Sequence, residues 1–319
     1  MEPSDTRKLP LISVVVPVFR EATEIRGFLA AVRNQLKESG AGYELVVVDD
    51  GSPDESWAAI TAEAQSDPNL RALRLSRNFG KESALCAGLE VARGDAVIVM
   101  DADGQHPPTL IPELLRQWQL SGADIVEAVK VRRGRESISS KLGALLFYEL
   151  LNKLSGFQFK GASDFKLMNR KAVNAWLQMP ERNVFFRGMT VWMGFKTVQV
   201  PFEVGPRSAG QSAWSAIKRL KLALVGITAF SSFPLHFVTL AGGIFLIVSV
   251  VLGVQTVYLK LAGRAVSGFA TVILLELVIG SLLMISLGVI GEYLARIYEE
   301  VKRRPRYVVM ESINPDDRR

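Results

Sequence analysis

The sequence contains a single cysteine, Cys86, in 319 residues. One thiol cannot close an internal disulfide, so the fold does not need an oxidising compartment. The glycine-rich phosphate loops are also missing: GxGxxG does not follow the first predicted strand, and GxxxxGK[ST] occurs nowhere. A nucleotide would therefore need a metal ion and cationic side chains to hold its phosphates. No nucleic-acid-binding module is recognisable, and residues 1–10 are too polar for a signal peptide.

Long apolar runs are absent from the first 230 residues and concentrated after Phe233. Residues 235–259 contain one ionisable group, His236, and residues 269–290 contain one carboxylate, Glu276. Each run is long enough to span a bilayer. Basic residues flank the pair of runs: Lys218, Arg219 and Lys221 before it, and Arg296, Lys302, Arg303, Arg304 and Arg306 after it. The positive-inside rule then places the preceding domain and the tail in the cytoplasm.

Two features of this region have more than one interpretation. Residues 212–232 mix cations with leucines, a pattern typical of a helix lying on a membrane surface, although a core helix with one solvated face fits as well. Glu276 near the middle of a span needs a partner or a proton. Contact with a second copy of the chain in a homo-oligomer, protonation, and a place along a path for lipid phosphate all stay open.

Before the apolar runs, short β-branched stretches alternate with amphipathic ones. We predict strands at 11–18, 43–48, 70–75 and 96–100, helices at 22–38, 54–65 and 82–92, and a further strand at 124–129. This alternation predicts a mostly parallel sheet with right-handed crossovers. Ligands of such sheets bind beyond the carboxyl ends of the strands. The polar residues that fall there are Glu21, Asp50, Lys81, Asp101 and Asp103.

The stretch 96–108, AVIVMDADGQHPP, is the centre of the predicted site. A buried strand ends in Asp101 and Asp103, whose side chains share one face of an extended backbone. We expect them to converge on one hard divalent cation, Mg²⁺ or Mn²⁺, which prefers carboxylate oxygens and takes further ligands from substrate phosphates. Alone, the DxD pattern would more often be a solvated turn, and the rest of the chain reverses that preference.

Two further segments are suited to phosphate. The basic turn 130–135, KVRRGR, is either solvated surface or a phosphate clamp that includes Lys130 and Arg133, with Lys141 close behind. The small-residue loop 207–212, RSAGQS, lets its backbone and the guanidinium of Arg207 approach an anion.

Six motifs occur together and in order: VVVPVFREA (14–22), VVVDDGS (46–52), SRNFGKESAL (76–85), MDADGQHPP (100–108), SDFKLMNR (163–170) and GVIGEYLARIYEEVKRRPRYVV (288–309). From Leu11 to Val309 the chain resembles the membrane-anchored family 2 glycosyltransferases that load a sugar onto a polyprenyl phosphate. That family includes the dolichyl-phosphate mannose synthase type and the bacterial two-span undecaprenyl-phosphate glucosyltransferase type, and the C-terminal motif is similar to the latter.

The resemblance implies an α/β fold of the GT-A type, Rossmann-like, with a mostly parallel sheet. It would comprise a cytoplasmic catalytic domain (1–211), an interfacial helix (212–232), two transmembrane helices (233–292) and a basic cytoplasmic tail (293–319). The membrane would be the bacterial inner membrane.

The resemblance also implies roles for individual residues. Pro17, Glu21 and Asp50 match the positions that cradle the nucleotide, with Lys81 at the same edge. Asp101 and Asp103 match the metal and diphosphate site, and Gln105 the position beside it. Asp164 matches an aspartate near the reacting centre, and Arg207 a pyrophosphate arginine. Two positions depart from the family pattern: Ala213 stands where lysine is usual, and Lys130 where arginine is usual.

The activity implied is inverting, metal-dependent transfer of one sugar from a nucleotide-sugar, with UDP-glucose as the default donor, to undecaprenyl or another polyprenyl phosphate. Asp164 could then orient a substrate or act as a base. One alternative is a processive polysaccharide synthase, although the QxxRW segment of such enzymes is missing and two spans provide little material for an export channel. A catalytically silent membrane scaffold or nucleotide-sugar sensor is the other.

Overall fold

The computed structural model describes residues 10–131, 163–182, 184–203, 233–264 and 268–314. The chain divides into two compact units. The first comprises Met1–Asn152, Phe157–Ala213 and Arg304–Arg319, and the second comprises Lys153–Gly156 and Trp214–Arg303. Of the predicted segments, the interfacial helix 212–232 and most of the basic turn lie outside the described residues.

The first unit is built on a mixed sheet. Its strands in the described residues are β1 (Leu11–Val18), β2 (Gly42–Asp49), β3 (Leu70–Leu75), β4 (Ala96–Val99), β5 (Ile125–Val131), β6 (Lys166–Asn169), β7 (Thr197–Glu203) and β8 (Val309–Ile313). They lie in the order β7-β5-β6-β4-β1-β2-β3-β8. The four strands from β4 to β3 run parallel, as does β5 with β7, whereas β6 and β8 pair antiparallel with their neighbours. The predicted GT-A-type, mostly parallel sheet is confirmed.

Helices lie between successive strands along the chain. They are α1 (Ile25–Glu38), α2 (Ser56–Ser66), α3 (Lys81–Val91), α4 (Ile111–Ser121), α5 (Arg170–Leu177) and α6 (Phe186–Trp192). The central strands are covered on both faces, which explains their unbroken apolar runs: Val14, Val15 and Val16 of β1 are all fully buried.

Helix α3 approaches the sheet closely at Gly88. A Cβ atom at this position would lie 2.3 Å from Cγ1 of Val15 and 3.3 Å from Cγ2 of Val48. The missing side chain therefore lets the helix backbone rest directly on β1 and β2.

We expect Gly88→Ala to lower the free energy of unfolding by about 1–3 kcal/mol, because the added methyl group overpacks this contact. Gly27→Ala is the matched control: Gly27 lies in α1, and a Cβ atom there would meet none of the described atoms within 4 Å. At that position alanine should stabilise the helix by about 0.5–1 kcal/mol. Thermal unfolding of both variants in detergent measures the difference. Equal midpoints for the two would contradict the packing described.

The chain end differs from the predicted basic tail, because residues 304–314 belong to the first unit. Strand β8 pairs antiparallel with β3, and Glu311 accepts hydrogen bonds from Trp57 Nε1 (2.9 Å) and an Arg74 guanidinium nitrogen (3.1 Å). Asn314 also donates to the backbone oxygen of Leu70 (2.8 Å). The strand covers an edge of β3 that would otherwise expose unpaired backbone groups. The strand is only five residues long and follows a run of basic residues, so the sequence pattern did not reveal it.

The second unit contains two long apolar helices, α7 (Phe233–Leu261) and α8 (Phe269–Val301). Both are long and apolar enough to cross a membrane: Leu235–Leu261 contains an 18-residue window with a mean hydropathy of 2.6, and Leu275–Val301 contains one with a mean hydropathy of 2.0. At 1.5 Å per residue they measure about 43 and about 50 Å. Helix α8 continues eleven residues past the predicted end at 290, through a segment that carries both acids and bases.

Candidate active site

The loops that follow β1, β2 and β4 meet at one edge of the sheet. The parallel register pairs Val18 with Asp49 at the ends of β1 and β2, and Val15 with Val99 at the end of β4. The residues that come next in the chain therefore open on the same side. Glu21, Asp50 and Asp101 are three of them.

A compact charged cluster lies at this edge. Lys81 Nζ, on the first residue of α3, donates to a carboxylate oxygen of Asp101 at 2.7 Å and to Oδ2 of Asp164 at 2.6 Å. Arg187, on α6, donates from two nitrogens to the two oxygens of Asp164, at 2.7 and 2.8 Å. Two cations and two carboxylates from four separate chain segments thus form one network, with Asp164 buried at its centre.

The network fixes the charge of Asp164. Burial alone would raise the pKa of this carboxyl, but the hydrogen bonds and positive charges of Arg187 and Lys81 outweigh burial and hold the pKa well below its usual range. The same carboxylates, Asp101 and Asp164, raise the pKa of Lys81 against the effect of its burial. Asp164 is therefore a stable anion and a weak proton acceptor.

Asp103 has different partners from Asp101. Its two oxygens accept hydrogen bonds from the backbone nitrogen of Gln105 at 3.0 Å and from Nε2 of Gln105 at 2.9 Å. Oε1 of Gln105 in turn accepts from Lys130 Nζ at 3.0 Å. The DxD loop is thereby joined to the first residue of the basic turn. The expected convergence of both carboxylates on one ion is not the arrangement seen, since Asp101 faces the Lys81 ammonium.

The two carboxylates nevertheless suit a hard divalent cation that takes its other ligands from water and substrate. Among the described residues, no group of three His, Cys, Asp or Glu side chains is placed to hold a metal ion. The described residues therefore do not form a metal site whose ligands all come from the protein. Asp101 and the exposed Asp103 offer hard carboxylate oxygens, which suits Mg²⁺ or Mn²⁺ with its remaining ligands from water and substrate phosphates.

His106 shapes the DxD loop, a role that the sequence did not predict. Its Nδ1 accepts the backbone N–H of Asp101 at 2.9 Å, and its ring stacks on Phe165 with centroids 5.0 Å apart. Burial, followed by the charge of Lys81, lowers its pKa to about 4. The imidazole is therefore neutral near pH 7 and serves as an acceptor that orients the strand end.

Asp50 organises the turn that precedes α3. Its carboxylate accepts the backbone N–H groups of Phe79 at 2.7 Å and Gly80 at 2.9 Å. Burial raises its pKa, and these two hydrogen bonds oppose the rise. The next residue, Gly51, has φ of 64° and lies so close to Arg77 that a Cβ would be 2.4 Å from a backbone carbon. The turn is thus held by side-chain hydrogen bonds and by a glycine that no other residue can replace without strain.

Glu21 and Pro17 are the two other residues to which the resemblance assigns nucleotide binding. The backbone N–H of Glu21 donates to Ser56 Oγ at 2.9 Å. Burial, then the charges of Glu24 and Asp103, raise the pKa of Glu21. Pro17 lies in β1 opposite Val48 of β2. Arg133, Lys141 and Arg207 lie outside the described residues.

Glu82 and Arg187 belong to the site although the sequence did not single them out. Glu82 Oε2 accepts the backbone N–H of Phe186, where α6 begins, at 3.1 Å. Burial, then the charge of Asp164, raise the pKa of Glu82 to about 7. In the sequence, Glu82 and Arg187 are visible only as charged residues within the segments SRNFGKESAL and NVFFRGM. Neither segment indicates which residue the charged side chain contacts.

Glu82 should make stability depend on pH. Because its pKa rises from 4.5 in the unfolded chain to about 7 in the folded one, the folded state retains the proton more tightly, and stability falls as the pH rises between these values. Glu82→Gln keeps an acceptor for Phe186 without the charge, so we expect it to gain stability relative to the wild type from pH 5 to pH 8. The thermal midpoints of the wild type and the Glu82→Gln variant are measured at pH 5, 6, 7 and 8. A difference between the two midpoints that does not change with pH would refute the prediction.

Comparison with known proteins gives consistent matches over most of the chain. The family model described as glycosyl transferase family 2 matches residues 13–177. The chain is 40% identical over 303 residues to the bactoprenol glucosyl transferase of Shigella phage SfII, covering 94% of this chain and 98% of that protein. It is 39% identical over 303 residues to the uncharacterized glycosyltransferase sll0501 of Synechocystis sp., covering 93% and 94%. Among solved structures, it resembles the mannosyltransferase PcManGT from Pyrobaculum calidifontis, with 20% identity, a TM-score of 0.48, and coverage of 69% and 64%.

Proposed function

Because the chain belongs to glycosyltransferase family 2 and is a glycosyltransferase, we propose that it transfers one sugar from a nucleotide-sugar to the phosphate of a membrane polyprenyl phosphate. The main support is 40% identity over 94% of the chain to a protein named bactoprenol glucosyl transferase. The two apolar helices supply the membrane anchor that a lipid acceptor requires. UDP-glucose is the proposed donor and the bacterial inner membrane the proposed location, with the catalytic domain and the chain end in the cytoplasm.

The acceptor needs little chemical activation. A phosphate monoester has a second pKa near 6 and is largely dianionic at neutral pH, so it is already a competent nucleophile. The main obstacles are the repulsion between two anionic substrates and the charge that builds up on the departing diphosphate. Fixed positive charge at the sheet edge addresses both. A single in-line displacement inverts the anomeric carbon.

Asp164 is proposed to position cations rather than to take a proton. Its pKa is held far below neutrality by Arg187 and Lys81, and an acceptor that is already ionised requires no base. By orienting the Lys81 ammonium and the Arg187 guanidinium, Asp164 fixes two donors beside the diphosphate position. Pro17, Glu21 and Asp50 hold the nucleotide in this proposal.

The residues proposed for the diphosphate itself are Asp101, Asp103, Gln105 and Arg207. When a divalent cation, Mg²⁺ or Mn²⁺, is bound by the two carboxylates, it supplies Lewis-acid neutralisation of the leaving group. The backbone N–H and the side-chain amide of Gln105 each donate to one oxygen of Asp103 and so keep the carboxylate oriented. Arg207 would add a bidentate phosphate contact.

The acceptor phosphate is proposed to bind the basic turn through Lys130, Arg133 and Lys141. Of these, Lys130 is exposed and already joined to the DxD loop through Gln105. We expect Arg133→Glu to raise the apparent KM for polyprenyl phosphate about tenfold or more, the effect of losing a charge-assisted contact. The KM for the donor should hardly change. Arg26→Glu, on the exposed face of α1, is the control, and an unchanged acceptor KM in the Arg133 variant would remove the turn from the proposal.

A donor screen tests the substrate assignment. Purified full-length chain is incubated with short-chain polyprenyl phosphate and each of several nucleotide-sugars in turn, and released nucleoside diphosphate is measured. UDP-glucose should give the fastest release. Faster release with another sugar would correct the donor without affecting the reaction, whereas no release with any donor would reject the function.

A further inference from the structure

A pocket lies in the first unit, away from the sheet edge that carries the DxD loop. It encloses about 480 Å³ between the end of α3, the segment after α5 and residues 304–307, within the range of about 300–1,000 Å³ that is typical of small-molecule sites. Glu90, in its wall, lies nine residues after Lys81 on α3, which corresponds to about 13 Å along the helix. The pocket and the charged cluster are therefore at opposite ends of one helix.

The lining is strongly cationic. Three arginines contribute to it, Arg182, Arg304 and Arg306, against one carboxylate, Glu90. Glu90 Oε2 accepts a hydrogen bond from the hydroxyl of Tyr307, so this anion is already engaged. Among the lining side chains, the arginines outnumber the carboxylates by two.

The three arginines differ in their contacts and in their exposure. Arg306 is tied into the wall, since its guanidinium donates to the backbone oxygen of Met179 and contacts Sγ of the buried Cys86 at 3.8 Å. Arg304 is exposed and makes no hydrogen bond or ion pair with the described part of the chain. Arg182 lines the same space, half-buried. One anchored guanidinium thus shapes the pocket, while Arg304 is available for a ligand.

We propose that this pocket binds a phosphate-bearing anion, outside the site proposed for sugar transfer. Guanidinium groups match phosphate oxygens bidentately, and a phosphodiester or phosphate would neutralise the charge of the arginines. The pocket is built partly on the segment that follows α8 in the sequence. Basic residues next to a membrane helix attract anionic lipid headgroups, and a free phosphate offers the same chemistry.

The test uses full-length chain in detergent after removal of bound lipid. Binding of dioctanoyl phosphatidylglycerol and of dioctanoyl phosphatidylcholine is measured by native mass spectrometry, with and without inorganic phosphate. We expect one anionic lipid, or inorganic phosphate, to bind to the wild type, and Arg304→Gln to weaken that binding about tenfold. Arg182→Gln, a change remote in sequence from the apolar helices, should do the same. Arg26→Gln is the control.

Competition between phosphatidylglycerol and inorganic phosphate identifies the source of the phosphate group. Binding of phosphatidylglycerol that inorganic phosphate does not displace indicates a lipid headgroup, and displacement by phosphate indicates a soluble anion; both support an anion site. The proposal is overturned if phosphatidylcholine binds as tightly as phosphatidylglycerol and phosphate does not bind. It is also overturned if both arginine variants bind like the control. Loss of sugar transfer in these variants is not required.

Discussion

Replacing Asp164 with asparagine is expected to lower kcat by about 10²–10³-fold, the range seen when a preorganised charge partner is lost from a site. The substitution removes the anion to which both Lys81 and Arg187 donate, at 2.6–2.8 Å. Two neighbouring cations would then repel each other and lose the orientation on which the leaving group depends. Steady-state rates of nucleoside diphosphate release measure the loss.

The pH profile separates positioning from proton transfer. If Asp164 orients cations, the pH dependence of kcat between pH 5 and pH 7 should follow only the second ionisation of the acceptor phosphate, with a pKa of about 6, because the pKa of the Asp164 carboxyl lies far below that interval. Glu82 titrates near pH 7, so the profile is measured in a Glu82→Gln background. Glu113→Gln, at a partly exposed position on α4, is the matched control. A further ionisation in this interval, seen as a fall in kcat clearly steeper than the roughly tenfold loss that protonation of the acceptor phosphate causes between pH 7 and pH 5, would contradict the assigned role. So would an Asp164→Asn variant that keeps most of its activity.

Asp103→Ala is expected to reduce kcat/KM by about 10²–10³-fold and to weaken the response to Mg²⁺ or Mn²⁺. The variant loses a hard carboxylate and also both hydrogen bonds that orient Gln105, through which Lys130 is joined to the loop. Donor and acceptor contacts should therefore weaken together.

Binding of manganese in the presence of UDP, followed by electron paramagnetic resonance, provides a readout independent of turnover. Asp103→Ala should raise the manganese concentration at half-saturation, while Glu113→Ala should leave it at the wild-type value. If the two variants bound manganese equally, Asp103 would not be a metal ligand.

The parallel part of the sheet was predictable because its strands are buried on both faces. LISVVVPV matches β1 at both ends, and the predicted strand 70–75 matches β3. Helix α1 begins at Ile25 rather than at 22, since the turn after β1 extends through Glu24. Local composition determines where such elements lie and leaves their ends uncertain by a few residues.

The charged cluster could not be predicted in the same way. The alternation of strands and helices brought Lys81 and Asp101 to one edge, but the hydrogen bonds that Asp164 accepts from Lys81 and Arg187 connect residues 83 and 23 positions apart. No periodic pattern encodes such pairs. The same holds for Glu311, which reaches Trp57 across 254 positions. Sequence reasoning identified Lys81, Asp101 and Asp164 as site residues and missed Arg187.

The most direct test of the proposed reaction is the mass and stoichiometry of its lipid product. Purified full-length chain, UDP-glucose and short-chain polyprenyl phosphate should yield polyprenyl-phosphate-glucose and UDP in a one-to-one ratio, with no UDP release when the lipid phosphate is omitted. Asp164→Asn should suppress both products together. UDP release that does not depend on the lipid phosphate, or a lipid product that carries more than one sugar, would contradict single transfer to a polyprenyl phosphate.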